Sequence, residues 1–189
     1  MSKLIATSRT IRRAALSGLA LAAVACVPWT ASATAGAQTA AASTPRCTTS
    51  SLEVWLGLGG GGGQAGSTVY PIEFTNLSAH TCSLYGFPGV SAELAGHQVG
   101  SAAQRDHAAP AQTVTLGPRG TAHAELRITD VSSIPPATCK PVTADGLTVY
   151  PPGAFTAAQI PFRFRACSAA GPAFLSVQVV LPRVGVPGH

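Results

Sequence analysis

The feature that most constrains the fold is a series of short segments in which apolar and polar residues alternate. The stretch 70–90 begins with such a segment, in which Tyr70, Ile72 and Phe74 share one face. The alternation breaks at Asn76, and a Gly-Phe-Pro-Gly turn at 86–89 leads into the next apolar run. A period of two residues predicts a strand with one buried face, so this stretch predicts two strands joined by a connection that carries Cys82.

Segments of this kind recur along the chain at about the 8–12-residue spacing that is typical of sandwich folds. They lie at 52–58, 70–76, 90–94, 98–103, 114–116, 122–128, 147–150, 160–164 and 175–181. No segment after residue 33 has the pattern of a convincing helix. We therefore expect an all-β fold, an antiparallel β-sandwich of the immunoglobulin-like type with about nine short strands.

Proline and glycine positions refine this expectation. Pro71 and Pro161 lie within predicted strands and favour edge strands or bulges, because proline cannot donate a ladder hydrogen bond. The five glycines at 59–63 predict a mobile loop between two strands. Residues 132–141 predict a proline-rich connection. The sequence Asn-Leu-Ser at 76–78 fits a glycosylation sequon, but a turn is the better interpretation.

The first 33 residues have the features of a signal peptide. A basic region with Lys3 and three arginines precedes an uncharged apolar run at 14–27, and Ala-Ser-Ala at 31–33 supplies a cleavage site. The run is shorter than the ~20 residues of a membrane span. We expect a signal peptide at 1–33, a flexible leader at 34–45, the sandwich domain at 46–182 and a loose tail at 183–189. The protein is then secreted or held in the cell wall or envelope, outside the cytoplasmic membrane.

A competing interpretation of the N-terminus is lipid attachment at Cys26. Residues 23–26, Ala-Val-Ala-Cys, resemble a lipobox, although a leucine is usual where Ala23 stands. Contact with a membrane is expected only if Cys26 is lipidated.

Four cysteines remain in the processed chain, and they predict two disulfides in an oxidising compartment. Cys47 precedes one strand of a predicted hairpin and Cys82 follows the other, and the same holds for Cys139 and Cys167. Antiparallel pairing brings the start of one strand beside the end of its partner. We therefore predict Cys47–Cys82 and Cys139–Cys167.

The charge of the processed chain excludes one class of partner. Twelve Lys and Arg stand against seven Asp and Glu, but four of the cations lie in the predicted signal peptide. The remaining net charge is +1, and its cations are scattered. Nucleic-acid binding needs a clustered basic surface, so we expect no nucleic-acid partner.

Several of these motifs occur in the order of one known family. A cysteine, a Leu-x-Val-x-Leu-x-Leu strand, a glycine-rich gap, Tyr-x-Ile-x-Phe-Thr-Asn, Cys82, Tyr-Gly-Phe-Pro-Gly-Val at 85–90 and Leu-Gly-Pro-Arg-Gly-Thr-Ala at 116–122 follow one another. This order resembles an uncharacterised family, a domain of unknown function, of exported actinobacterial proteins, many of them lipoproteins. The resemblance covers residues 47–181. It implies an extracytoplasmic β-sandwich with paired cysteines and implies no activity.

No catalytic constellation is present in the sequence. Asp106 and His107 are adjacent in a polar loop, and no Gly-x-Ser-x-Gly elbow accompanies them. Most of the carboxylates, including Glu53 and Glu73, occupy single outward strand positions, unlike the paired carboxylates of a glycoside hydrolase. We therefore expect no enzyme activity, no catalytic residue and no bound cofactor.

Histidines provide the remaining candidates for chemistry. His80, His97, His107 and His123 could gather around copper or zinc, but the only methionine is Met1, which removes a thioether copper site. We expect no metal site. The best interpretation is a non-catalytic binding or structural module with an unknown envelope or extracellular partner. Extracytoplasmic metal handling and an unrecognised hydrolase are the alternatives.

Overall fold

The computed structural model describes residues 43–58 and 62–185, and within these ranges the alternating segments form thirteen β-strands. They are β1 (Leu52–Leu56), β2 (Gly62–Gln64), β3 (Ser67–Asn76), β4 (Cys82–Tyr85), β5 (Gly89–Leu94), β6 (His97–Val99), β7 (Gln104–Arg105), β8 (Thr113–Leu116), β9 (Thr121–Thr129), β10 (Pro141–Tyr150), β11 (Ala158–Cys167), β12 (Leu175–Val177) and β13 (Leu181–Pro182). Two 3-10 helices (Thr49–Ser51 and Val131–Ser133) and one short α-helix, α1 (Pro136–Cys139), complete the described elements. All of them belong to one compact unit.

The described strands form two main sheets and a separate pair. The larger sheet has the order β1-β3-β9-β12-β7, with β2 also on β3 and β13 also on β9. The smaller sheet has the order β11-β10-β5-β6, and β4 pairs with β8. The described pairs of named strands are antiparallel except β7 and β12, which are parallel.

The core lies between the two main sheets. Ile72, Phe74 and Leu126 from the larger sheet and Leu147 and Val149 from the smaller sheet have no exposed surface and belong to one hydrophobic cluster. In β9, alternate residues are buried, as the period of two predicts. The prediction of an all-β sandwich is therefore confirmed.

The predicted strand list was incomplete. Three strands were not predicted, β2, β4 and β7, and none exceeds four residues; the single strand predicted at 175–181 is divided into β12 and β13. Because β2 contains Gly62 and Gly63, paired with β3, the prediction of a loop over the whole of 59–63 is wrong for these two glycines. Strand β10 begins at Pro141, six residues before the predicted start, and α1 interrupts the predicted connection at 132–141.

The two strand prolines have different surroundings. Pro161 lies on β11, an edge strand, next to a register shift between Ala144 and Gly146, so the prediction for Pro161 is confirmed. Pro71 lies on β3, which is paired on both sides, and the edge prediction is wrong there. Proline has no N–H to donate, and this is tolerated because Pro71 lies opposite the gap between the end of β1 and the start of β2. Its carbonyl accepts a hydrogen bond from Gly57 N–H (2.9 Å).

Two ends of the sandwich are distinguished by the direction of β3. At the end where β3 finishes, the Thr49 hydroxyl donates to the Thr156 carbonyl (2.6 Å), and Arg119 N–H donates to the Asn76 carbonyl (2.8 Å). This end is called the N-terminal end because the described chain begins there. It comprises residues 43–51, 77–81, 117–120 and 151–157.

The opposite end is the one where β3 begins. Ser67 pairs there with Thr129 at the end of β9, and Asp130 N–H donates to the Gly66 carbonyl (2.8 Å). This second end, around residues 66–67 and 129–130, is called the cleft end because a cleft opens there. Because β3 has ten residues, the two ends are roughly 30 Å apart.

Candidate functional site

The four cysteines of the domain form two disulfides. Cys47 is bonded to Cys82 and Cys139 to Cys167, with Cα–Cα distances of 4.9 and 4.6 Å. These are the two pairs that the hairpin argument predicts. Cys26, the candidate lipidation site, lies outside the described residues, as does the predicted signal peptide. Two disulfides indicate an oxidising, extracytoplasmic environment.

The residues considered for hydrolysis do not form a triad. The carboxylate of Asp106 accepts hydrogen bonds from Ala108 N–H (3.0 Å) and from the Gln178 amide (3.4 Å). The ring of His107 packs edge-on against Phe87, with 4.7 Å between the centroids. Both side chains therefore have local structural partners.

The histidines considered for metal binding are dispersed. His123 Nδ1 is 2.9 Å from the Arg183 carbonyl oxygen, and the His80 carbonyl, rather than its ring, contacts Asn76. Within residues 43–58 and 62–185, no three or more His, Cys, Asp or Glu residues gather in a group that could hold a metal ion.

A cleft of about 380 Å³ opens at the cleft end. Its walls are the start of β3, the end of β9 and the second half of β11. The lining residues are Gly66, Ser67, Thr68, Tyr70, Ile128, Thr129, Asp130, Val131, Phe162, Phe164 and Arg165. The cleft thus lies where an edge strand of the smaller sheet crosses two strands of the larger one.

Three aromatic rings form one wall of this cleft. Tyr70 meets Phe162 edge to face at 5.1 Å between centroids, and Phe162 stacks on Phe164 at 5.5 Å. The rings come together because Phe162 and Phe164 alternate on β11 and Tyr70 faces them from β3. All three are half-buried and pack against the core while keeping part of each ring open. Such a wall provides apolar contact area of fixed shape.

Polar groups line the rim of the cleft. The Arg165 side chain is exposed, and no hydrogen-bonding or ionic partner for it is found among the described residues. Asp130 is committed to local structure, since Ser132 N–H donates to its carboxylate at 2.9 Å. Hydrogen bonds from the backbone and hydroxyl of Ser132 lower the pKa of Asp130, which keeps it anionic.

A second cavity of about 320 Å³ continues the cleft past Arg165. It shares Asp130, Val131 and Arg165 with the first cavity and adds residues from α1 and the start of β10. Arg165 therefore borders both cavities. The lining of the cleft therefore includes three aromatic rings, the anionic Asp130 and a guanidinium that has no ionic partner among the described residues.

A buried carboxylate lies elsewhere, on the outer face of the larger sheet. Glu73 was predicted to point outward to solvent, and this is wrong, because its side chain has no exposed surface. Residues 183–185, which follow β13, cover it, and Gly185 N–H donates to Glu73 Oε1 at 2.8 Å. Oε2 has no hydrogen-bond partner in the described structure. Burial raises the pKa of Glu73, against smaller lowering effects from Gly185 N–H and from His123 directly opposite on β9.

The covering segment extends past the predicted domain boundary at residue 182. Gly185 is buried, and a Cβ placed on it would lie 2.4 Å from the Cβ of Pro71. At the other boundary, the Pro45 carbonyl accepts a hydrogen bond from Ser83 N–H (2.8 Å). Fixed contacts thus extend beyond the predicted domain at both ends.

The cleft is not evident from the local sequence pattern. Its aromatic residues come from β3 and β11, which are about 90 positions apart in the chain. One sequence feature could have indicated the cleft. Arg163 and Arg165 alternate with two phenylalanines on a strand that Pro161 predicts to be an edge strand.

Comparison with known proteins identifies a family. A family model described as a domain of unknown function (DUF4232) matches residues 47–180. No curated protein and no solved structure matches. Within the described part of the chain, no helix has the length and apolar character needed to cross a membrane.

Proposed function

This chain belongs to the DUF4232 family of domains of unknown function, and we propose that it is an exported, non-catalytic binding module whose ligand occupies the cleft at the cleft end. The location is the cell envelope or the extracellular space. Two disulfides and the signal-like N-terminus support export.

The observation that carries the proposal is the pairing of an aromatic wall with an unpaired guanidinium. Ligand sites are concave, largely apolar and contain a few polar groups that fix orientation. The cleft combines the aromatic rings of Phe162 and Phe164 with Arg165, in a lining that is otherwise mostly polar. Arginine binds carboxylates and phosphates through two parallel hydrogen bonds. The expected ligand is a small molecule or a chain end with an apolar face and an anionic group.

The arrangement favours binding over catalysis. Ser67, Thr68 and Thr129, which carry hydroxyl groups, also line the cleft, and no histidine is among its lining residues. Asp130 is held by Ser132 and is anionic, so it is poorly suited to donate a proton.

A thermal-shift screen of the exported protein tests the proposal. The panel contains cell-wall glycan fragments, aromatic carboxylates, Cu(II) and Zn(II), and the readout is the melting temperature with disulfides intact. A ligand present at 100 times its Kd stabilises the folded state by about 2.7 kcal/mol. We expect hits among the organic anions.

Variants then locate the site. Phe164→Ala and Arg165→Ala should each weaken binding at least tenfold, whereas Arg163→Ala on the same strand should not, because Arg163 does not line the cleft. Hits that survive both cleft variants would refute this location. Shifts with metal ions alone would favour metal handling, and turnover of ester or glycoside substrates would favour the hydrolase.

A further inference from the structure

Exposed apolar side chains gather at the N-terminal end of the sandwich, opposite the cleft. Seven large hydrophobic side chains are exposed in the described structure, and four of them lie at this end or directly beside it. These four are Leu77, Tyr85, Tyr150 and Phe155. Tyr85 belongs to the group because it lines one cavity together with Pro45, Arg46 and Pro152. Single exposed apolar residues are ordinary, but their concentration at one end indicates a contact surface.

Phe155 projects furthest, and its loop is held rigidly. The side chain is 98% exposed. The loop beneath it is anchored by buried Pro151 and Pro152, by a hydrogen bond from Ala154 N–H to the Pro151 carbonyl (2.9 Å), and by the Thr49–Thr156 contact. An aromatic ring that a fixed loop holds in water is presented to a partner at little entropic cost.

The charge of this end is positive. Arg46 and Arg119 are exposed, and residues 43–51, 77–81, 117–120 and 151–157 contain no aspartate or glutamate. Aromatic rings accompanied by cations and lacking acids are the combination that binds the interface of an anionic bilayer.

The path of the chain supports the same partner. The described chain begins at this end, where Pro45 and Arg46 pair with Ser83. The segment before it contains the apolar run 14–27 and Cys26, and Ser43 is 17 positions after Cys26. A membrane-attached N-terminus would therefore join the domain at this end rather than at the cleft end.

We propose that the N-terminal end of the domain docks on an anionic lipid surface. Phe155 enters the boundary between head groups and acyl chains, the two tyrosines lie at head-group level, and Arg46 and Arg119 face the lipid phosphates. The cleft then points away from the membrane. This docking does not depend on which ligand the cleft binds.

The experiment uses the exported protein as the expression host processes it, with vesicles of neutral phosphatidylcholine and vesicles containing one third phosphatidylglycerol. Co-sedimentation gives the partition coefficient. Hydrogen exchange with mass spectrometry reports protection of residues 151–157, and it remains readable when the protein carries a lipid. We expect anionic vesicles to protect 151–157 and to leave residues 62–68 at the cleft end unchanged.

Two variants and a control assign the effect to this surface. Phe155→Ala should lower the partition coefficient about tenfold, as expected for losing most of one buried phenylalanine. Arg119→Gln should lower it about fivefold on anionic vesicles only. Trp55→Ala removes an exposed aromatic side chain from the face of the larger sheet and should have no effect.

Three results would overturn the proposal. They are no protection of 151–157 by anionic vesicles, equal binding of Phe155→Ala and the wild type, or protection at the cleft end instead. Protection of 151–157 by a protein partner but not by lipid would assign the surface to protein binding and would also overturn it.

Discussion

Replacing Glu73 with glutamine should change how the stability of the domain depends on pH. In the wild type, burial raises the pKa of Glu73 above its ordinary value of 4.5. A carboxyl with a raised pKa contributes its full stability below the unfolded value, and that contribution is lost as pH rises through the folded pKa. The free energy of unfolding should therefore decrease as pH rises above 4.5. A glutamine side chain has no proton to lose in this range, so the Glu73→Gln variant lacks this decrease.

The size of the effect follows from the hydrogen bonds of the carboxylate. Oε1 accepts one hydrogen bond, from Gly185 N–H, and Oε2 accepts none. A buried carboxylate with a single hydrogen bond pays most of its desolvation cost when it ionises. The stability difference between variant and wild type should grow by up to about 1.4 kcal/mol per pH unit, and it should level off above the folded pKa.

The variant also has a cost that does not depend on pH. Its carboxamide keeps the acceptor for Gly185 N–H but places an NH₂ group where Oε2 has no partner, which costs about 1–3 kcal/mol. The slope of the difference with pH is therefore the informative quantity, and the sign of the difference at one pH is not.

Urea unfolding followed by far-UV circular dichroism between pH 4 and 8, with disulfides intact, measures this slope. Glu53→Gln on the adjacent strand is the matched control, because Glu53 is exposed. Repeating the comparison in a His123→Gln background removes the nearest titratable neighbour. A difference between Glu73→Gln and wild type that stays constant across this range would refute the reasoning, as would an equal slope for Glu53→Gln.

Two further predictions concern single positions in the frame. Gly100→Ala should destabilise by about 2 kcal/mol or more, because φ is +67° and the new Cβ would lie 2.3 Å from the Cys167 carbonyl oxygen. Gly63→Ala, with open space around its Cβ, should be nearly neutral in the same thermal melts, and equal effects would contradict the steric argument. Asn76→Ala should cost about 2–4 kcal/mol in urea unfolding, because the buried Asn76 amide donates to three carbonyl oxygens. Ser78→Ala removes only a hydroxyl from the same turn and should cost about 1 kcal/mol or less, and a similar loss for both would contradict that ranking.

The local sequence pattern was sufficient to predict many of the strands and turns of the domain. The alternation from Ala122 to Ile128 predicts β9 and its buried face, and both are observed. The turn interpretation of Asn76 also agrees with the structure, since Asn76 Oδ1 accepts hydrogen bonds from Ser78 N–H and the Ser78 hydroxyl. These features depend on neighbouring residues, so a single sequence contains the information.

Features that depend on distant segments were not predictable in this way. Glu73 occupies an outward position on its strand, and its burial depends on Gly185, 112 residues later. The first half of β10 was missed because Thr-Ala-Asp-Gly at 143–146 lacks clear alternation and becomes a strand by pairing with β11 across a bulge. Predicting the cleft requires knowing which strand of one sheet faces which strand of the other across the core.

The disulfide pairing has a consequence for how the chain matures. Each disulfide joins two cysteines that are consecutive in the domain. Cys47 is bonded to Cys82, and Cys139 is bonded to Cys167. In a chain that leaves a translocon N-terminus first, each cysteine therefore meets its correct partner before the following one appears. Oxidation in the order of emergence gives the native connectivity directly, without the thiol–disulfide reshuffling that interleaved pairs require, which takes minutes to hours when it is uncatalysed.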